Sequence, residues 1–466
     1  MTARFVSLMG RSSARRLSFR FVRTCSTVIL LALIVSGSAA ADDVITQWNE
    51  FLLTLNSTVI PPATGVLRPP NAASLDMAYM HIAMYDAVTA IEGGHRPFAV
   101  SLSGVVPGAS PQAAAVAAAY TVLKNKVYTP AAFPSVQARI DGEYALLLAQ
   151  IPGGQSKTDG IAIGQTVAAV FINLRQNDGL NASVPYVFQP VGPGVYQKTP
   201  GPPPTFAYVG PVTPWEAQFV PFAIHSASQF RSEPPPSLTS DQWADDFNEV
   251  KAFGAATGSV RTPEQDQIGL FYGLENAAFQ GGLALRNLST VHQLTLTENA
   301  RFFAQEYVTI ADALVGCWDS KYYYNFWRPI TAIREADIDG NDATLPDPDW
   351  SPQIVTPGHP EYPSAHGCFT GAYAHVIAQF FGTKRLSVRL FSRFTPLRPY
   401  ADFDSTDDVI EEIISARVYN GVHYRTSVVE GAELASKVSH WVARHYFQPV
   451  DKDSEKEDKD SEKRRR

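Results

Sequence analysis

A proline-rich segment in the middle of the chain limits the folds that this sequence can adopt. Residues 190–236 contain 12 prolines in 47 residues. Because proline lacks a backbone N–H and has a fixed φ, this segment cannot form a regular helix or a central strand. We predict an extended connection packed on the surface. It ends an N-terminal half, 42–236, and precedes a C-terminal half, 237–450.

Both halves show the sequence patterns of helices. Apolar spacing over 74–88 and an alanine-rich run that starts with proline, over 111–123, predict two helices, and 160–174 is a third candidate. Helical patterns resume at Thr239 and continue, with breaks, to Phe447. Alternating strand patterns never exceed a few residues, so the predicted fold class is mainly α.

The two ends of the chain are expected to lie outside this fold. Residues 1–41 combine six arginines and no acidic residue with an apolar run and a stretch of small residues. This is the pattern of a signal peptide, so we expect export to the periplasm or out of the cell. The tail, 451–466, repeats DKDSEK and is predicted to be disordered.

Charge and hydropathy exclude several classes of partner. The formal net charge is −7, and removal of the signal-peptide arginines makes the charge more negative. A basic nucleic-acid footprint is therefore not expected. After signal cleavage, no apolar stretch reaches the about 18 residues that suggest a membrane span. The oligomeric state stays open.

Three segments of the C-terminal half carry cationic or imidazole side chains, and each begins or ends a predicted helix. In KYYYNFWRP, Lys321 and Arg328 are seven residues apart, so we predict both on one face of a helix that Pro329 ends. In HPEYPSAHG, Ser364 is the predicted N-cap of a helix over 365–381. The first turn of that helix favours a bound anion.

The third segment, ARVYNGVHYR, places Arg417 in the last turn of a predicted helix and His423 just beyond it. His366 in the second segment lies in the first helical turn, where the dipole disfavours imidazolium and keeps the ring available as a base. Taken singly, each of these residues is explained as well by an ordinary cap, turn or solvated face. Their combination is more specific.

The order and spacing of the three segments form a known signature. Lys-x6-Arg-Pro, Pro-Ser-x-His and Arg-x5-His together resemble the phosphatidic acid phosphatase type 2 and vanadium haloperoxidase superfamily. The stretches WRPITAIREADIDGNDATLPDPDW, TPGHPEYPSAH and ARVYNGVHYR are similar to its soluble vanadium-dependent haloperoxidase branch. The resemblance implies two helical bundles of that type and a vanadate cofactor, with phosphate as a competing occupant. It also implies hydrogen peroxide, a halide and a small organic acceptor as substrates.

The resemblance further implies a role for each residue of the motifs. His423 would be the vanadium ligand, His366 the acid–base residue, and Lys321 a catalytic residue that makes the peroxide electrophilic. By the same resemblance, the oxyanion would be bound by Lys321, Arg328, Ser364, the Ala365 backbone and Arg417. The halide pocket would be lined by His359 and Trp318. Histidine at position 359 implies that bromide or iodide is oxidised more readily than chloride.

Two positions depart from the pattern of the family. Ala365 stands where the family usually has glycine, so the helix start must have ordinary geometry. Ser427 stands where the superfamily often has aspartate, four residues after His423. An acid phosphatase with His423 as nucleophile and His366 as leaving-group acid is the alternative function. The missing aspartate favours the peroxidase. A binding protein with an idle pocket fits less well, because every charged and imidazole position is present.

Two cysteines lie close to the motif residues in sequence. Cys317 precedes Lys321 by one turn, and Cys368 follows His366 by two residues. Since both segments are expected to meet at one anion, a disulfide and a pair of buried free thiols are both compatible with the sequence.

Overall fold

Helices make up most of the computed structural model, which describes residues 43–57, 68–200 and 212–450. These residues form thirteen α-helices and one two-stranded antiparallel sheet, which confirms the mainly α prediction. The helices of the first half are α1 (Val44–Ser57), α2 (Pro70–Glu92), α3 (Pro111–Val122), α4 (Gln137–Ala149) and α5 (Gln155–Leu174). Those of the second half are α6 (Asp241–Gly254), α7 (Pro263–Gly273), α8 (Ala277–His292), α9 (Leu296–Tyr324), α10 (Pro329–Arg334), α11 (Ala365–Phe381), α12 (Thr406–Tyr419) and α13 (Arg425–His445). The strands are β1 (Val388–Phe391) and β2 (Tyr400–Phe403).

The predicted signal peptide and charged tail lie outside the described residues. The described residues all belong to one compact unit. The boundary at residue 236 stays a prediction. Among the described helices, none has the length and the hydropathy that crossing a bilayer requires.

Helix α9 is the central element of the core. It is buried along most of its 29 residues and packs against α2, α11 and α13. A capping box starts it: the Thr295 side chain accepts from the Glu298 backbone and the Glu298 side chain accepts from the Thr295 backbone. At the other end of α9, Lys321 is buried in the last turn of the helix.

Helices α11 and α13 approach each other so closely that only glycine fits at their crossing. A Cβ at Gly367 would lie 2.4 Å from the Val428 carbonyl oxygen, and one at Gly431 would lie 2.6 Å from that of Ser364. The Ser364 backbone N–H also donates to the Ser427 carbonyl oxygen at 2.9 Å. This close packing holds the start of α11 against the segment that follows His423.

In its described parts, 190–200 and 212–236, the proline-rich connection forms no α-helix or strand, as predicted, but the prediction that it packs on the surface is wrong for the second of these parts. Trp215 and Phe219, in and just after a short 3₁₀ helix over Pro214–Gln218, are buried. The buried Asp312 carboxylate on α9 accepts three successive backbone N–H groups, from residues 222–224, at 2.6–2.9 Å. Because these N–H groups are satisfied, the irregular backbone can lie inside the core.

Candidate oxyanion site

One cavity of about 290 Å³ collects most of the residues singled out in the sequence. His366 and Arg417 line it, from the start of α11 and the end of α12, and His423 follows α12. The rest of the wall is mostly apolar, with one amide side chain: Pro69, Pro70, Asn71, Val212, Ala277, Leu314, Trp318, Pro357, Gly358, His359, Ala365 and Phe369. The second and third motif segments therefore meet at this cavity.

Arg328 reaches the site, but not from the helix face that the spacing predicted. Helix α9 ends at Tyr324, and Asn325 adopts a left-handed conformation with φ 49°. Arg328 itself is extended, with φ −80° and ψ 155°, because a residue before proline is disfavoured in helical geometry. The prediction of Lys321 and Arg328 on one helix face is wrong.

The buried Arg328 guanidinium donates to backbone and contacts two histidines. Its Nε donates to the His359 carbonyl oxygen at 2.9 Å, and Nη1 donates to the Val422 carbonyl oxygen at 2.8 Å. Nη1 also lies 3.3 Å from His423 Nε2, and Nη2 lies 3.0 Å from His359 Nδ1. Arg328 thereby ties the second motif to the third.

Lys321 is fully buried behind the cavity wall at the end of α9. Its Nζ donates to the carbonyl oxygens of Pro360 at 3.1 Å, of Glu361 at 2.9 Å, and of Pro363. Burial lowers the pKa of Lys321 to about 8. The ammonium group therefore holds the loop before α11, and its predicted contact with an oxyanion or peroxide stays a prediction.

A buried carboxylate that sequence reasoning missed lies against His423. Glu361 Oε1 is 2.6 Å from His423 Nδ1, although the two residues are 62 positions apart. Burial raises the pKa of Glu361 to about 7, while Arg328, Lys321 and the Ser427 hydroxyl lower it. Glu361 is the acidic residue of the second motif segment, HPEYPSAHG, but no local sequence pattern links Glu361 to His423.

His366 and Arg417 both have buried nitrogens without a partner among the described residues. These are His366 Nε2 and Arg417 Nε, while Arg417 Nη1 donates to Asn420 Oδ1 at 2.6 Å. Burial and the nearby Arg417 lower the pKa of His366 well below its usual value. Burial and Arg328 lower the pKa of Arg417 to about 9. An unsatisfied buried donor costs about 1–3 kcal/mol, so these groups indicate a polar ligand.

His359 and Trp318 form one side of the cavity. Their ring centroids lie 5.1 Å apart with an interplanar angle of 42°, and both rings line the cavity. Burial, Arg328 and Lys321 lower the pKa of His359 well below its usual value, so the ring is neutral at neutral pH. Their predicted contact with a halide stays a prediction.

The two cysteines are buried free thiols in this structure. Burial raises the pKa of the Cys368 thiol, and a hydrogen bond with the Cys317 side chain raises it further. The two side chains are therefore in contact. Of the two possibilities compatible with the sequence, the structure has the thiol pair.

Comparisons with known proteins agree with this geometry. A family model described as the VCPO second helical-bundle domain matches residues 301–452, which contain all three motifs. Vanadium chloroperoxidase from Curvularia inaequalis is 26% identical, over 83% of this chain and 79% of that protein. The chain is thus similar to vanadium haloperoxidases, and its residues 301–452 match a domain of that family.

Solved structures with the same fold are also haloperoxidases. A bacterial vanadium-dependent iodoperoxidase has a TM-score of 0.69 at 22% identity and covers 88% of this chain and 96% of its own. A holo-type bacterial vanadium-dependent chloroperoxidase has a TM-score of 0.66 at 16% identity, with 86% and 97% covered. At these identities the likeness concerns the fold, which confirms the predicted haloperoxidase-type helical architecture.

The structure shows how this chain accommodates its two departures from the family pattern. Ala365 starts α11 after Ser364, whose Oγ accepts the Gly367 N–H at 3.4 Å. Ala365 is not among the described residues with positive φ, which confirms the expected ordinary helix start. At the second departure, position 427 holds a serine, and the carboxylate that contacts His423 is that of Glu361.

Proposed function

We propose that this protein is a vanadate-dependent haloperoxidase that oxidises a halide with hydrogen peroxide to hypohalous acid, with bromide and iodide preferred to chloride. The observation that supports it most is the buried cationic site. Lys321, Arg328 and Arg417 are each at most 1% exposed, and Glu361 is the carboxylate that contacts His423. This excess of buried positive charge calls for an anion.

Vanadate fits the donors that the site presents. A tetrahedral oxyanion accepts charge-assisted hydrogen bonds, and Arg417 Nε is a buried donor that lacks a partner. His423 lines the same cavity, its Nε2 lies 3.3 Å from Arg328 Nη1, and this nitrogen would hold the vanadium. When bound, vanadate supplies a Lewis-acidic centre that activates hydrogen peroxide toward the halide.

His366 is placed to accept the proton that peroxide loses. Its Nε2 is buried, has no partner among the described residues, and belongs to the cavity wall. Because its pKa is lowered, the ring is neutral at neutral pH and has the protonation state that a base requires.

Replacing His359 by phenylalanine is expected to shift halide preference toward chloride. The His359 ring lies between Trp318 and Arg328, so phenylalanine removes a polar group from the proposed halide wall. We expect the ratio of bromide to chloride kcat/KM to fall by about tenfold, which corresponds to about 1.4 kcal/mol. Steady-state rates with chloride, bromide and iodide measure it. Equal chloride and bromide turnover in the wild type, or an unchanged ratio in the variant, would contradict the assignment.

An acid phosphatase is the second candidate, and one contact favours it. The Glu361–His423 hydrogen bond gives His423 the carboxylate that a nucleophilic histidine uses. The absence of aspartate at position 427 therefore no longer separates the two functions.

A paired assay distinguishes the two candidates. Phosphate-free protein is prepared with and without stoichiometric vanadate, and each sample is assayed for bromide oxidation with peroxide and for hydrolysis of p-nitrophenyl phosphate. We expect peroxide-dependent bromide oxidation only in the vanadate-loaded sample. Efficient ester hydrolysis by the vanadate-free sample, with no bromide oxidation by the loaded one, would replace the haloperoxidase by the phosphatase.

A further inference from the structure

We propose that Glu361 is a positioning residue for the vanadium ligand: it fixes His423 in the tautomer that presents an unprotonated Nε2 to the oxyanion. The proposal rests on the proposed function. It assigns a role to a residue that the family motifs leave unassigned, and it concerns His423 before any cofactor binds.

The first step is the direction of the hydrogen bond between the two side chains. Glu361 Oε1 lies 2.6 Å from His423 Nδ1 and also accepts the Tyr424 backbone N–H at 3.3 Å. An ionised carboxylate has only acceptors, so with Glu361 ionised the proton of the short contact belongs to His423 Nδ1.

The second step comes from the other side of the ring and is independent of the first. Arg328 Nη1 lies 3.3 Å from His423 Nε2. A guanidinium has only donors, so Nε2 must offer its lone pair to this contact. Both contacts therefore require the same tautomer, with the proton on Nδ1 and the free electron pair on Nε2, the nitrogen that a metal needs.

The third step is the rigidity of the carboxylate. Glu361 is fully buried, and Lys321 Nζ donates to its backbone carbonyl oxygen at 2.9 Å. The Ser427 hydroxyl lies beside the same carboxylate. Partners of this kind orient histidine ligands, and their loss typically weakens metal binding by about 10–100-fold. Position 427 is also close enough to supply a replacement carboxylate.

The test uses full-length, vanadate-free protein and compares Glu361→Ala with the double variant Glu361→Ala/Ser427→Asp. Glu306→Gln is the matched control, because Glu306 is also a fully buried glutamate but does not line the cavity. Titration calorimetry measures vanadate affinity, and ¹⁵N NMR of the imidazoles, assigned with His423→Ala, reports the tautomer of His423.

We expect Nδ1-protonated His423 in the wild type, a loss of vanadate affinity of about tenfold or more in Glu361→Ala, and recovery of most of it in the double variant. The Glu306→Gln control should bind like the wild type. An Nε2-protonated His423 in the wild type, or affinity within about twofold in Glu361→Ala, would overturn the proposal. A loss that the double variant does not relieve, with the tautomer unchanged, would assign Glu361 a purely structural role and would also overturn it.

These readouts separate the proposal from the proposed function. If the wild type binds vanadate, has the expected tautomer and still oxidises no halide, the haloperoxidase assignment fails and the role of Glu361 stands. If halides are oxidised but Glu361→Ala binds vanadate normally, only the role of Glu361 fails.

Discussion

Replacing His423 by alanine is expected to abolish stable vanadate binding and, with it, halide oxidation. His423 lines the cavity, with Nδ1 hydrogen-bonded to Glu361 and Nε2 left as the proposed ligand atom. Without it, the remaining contacts to an oxyanion are hydrogen bonds and charge. The loss should exceed the about 10–100-fold that removal of an outer partner causes. Vanadium content after dialysis, measured by mass spectrometry, and bromide turnover test this expectation.

His440→Ala is the matched control for this experiment. His440 lies on α13, and its Nδ1 is 2.7 Å from the backbone carbonyl oxygen of Ser436 at an exposed position. The control should retain vanadium and turnover. Stoichiometric vanadium in dialysed His423→Ala, together with turnover like that of the wild type, would contradict the assignment of His423 as the ligand.

The parts of the fold that were predicted correctly are those that local sequence determines. The helix over 365–381 was predicted from Ser364 as N-cap and Gly382 as its end, and the structure has α11 over the same residues. Ser364 accepts a first-turn backbone N–H, and Gly382 adopts the left-handed conformation at φ 70° that favours glycine. Both signals act within one turn of the helix, so the two ends of α11 can be predicted from the local sequence alone.

The placement of Arg328 could not be predicted from spacing, because distant residues decide where α9 ends. The Tyr196 backbone N–H donates to the Asn325 carbonyl oxygen, and the Trp327 N–H donates to that of Gly194. These bonds pair the residues after α9 with the proline-rich connection. The backbone after Tyr324 therefore leaves the helix axis. Periodicity assumes a continuing helix and carries no information about such a partner.

Glu361 was missed for the same physical reason. The superfamily often has an aspartate four residues after this histidine, at position 427, where this chain has Ser427. The structure supplies it from the loop before α11, which Lys321 holds through three carbonyl oxygens. A carboxylate partner of His423 was therefore not predicted, because it depends on a contact between segments that are separate in sequence.

Replacing His366 by alanine is expected to separate chemistry from cofactor binding. His366 lies in the first turn of α11, with Nε2 buried and lacking a partner among the described residues. Its lowered pKa makes it a neutral proton acceptor at neutral pH. Removing a general base typically costs about 10²–10⁴ in rate. We expect bromide turnover to fall within that range while vanadate affinity, measured by calorimetry, changes by less than about tenfold, because one hydrogen bond is worth about 1 kcal/mol.

His375→Ala, on the same helix, is the matched control, since His375 faces His440 at a ring separation of 6.2 Å and does not line the cavity. It should keep both turnover and affinity. His423 and His366 then have distinct signatures: His423→Ala loses vanadium and turnover together, whereas His366→Ala loses turnover alone. A His366→Ala variant that oxidises bromide at the rate of the wild type would exclude His366 as the proton acceptor, because the structure leaves its Nε2 no other assigned partner.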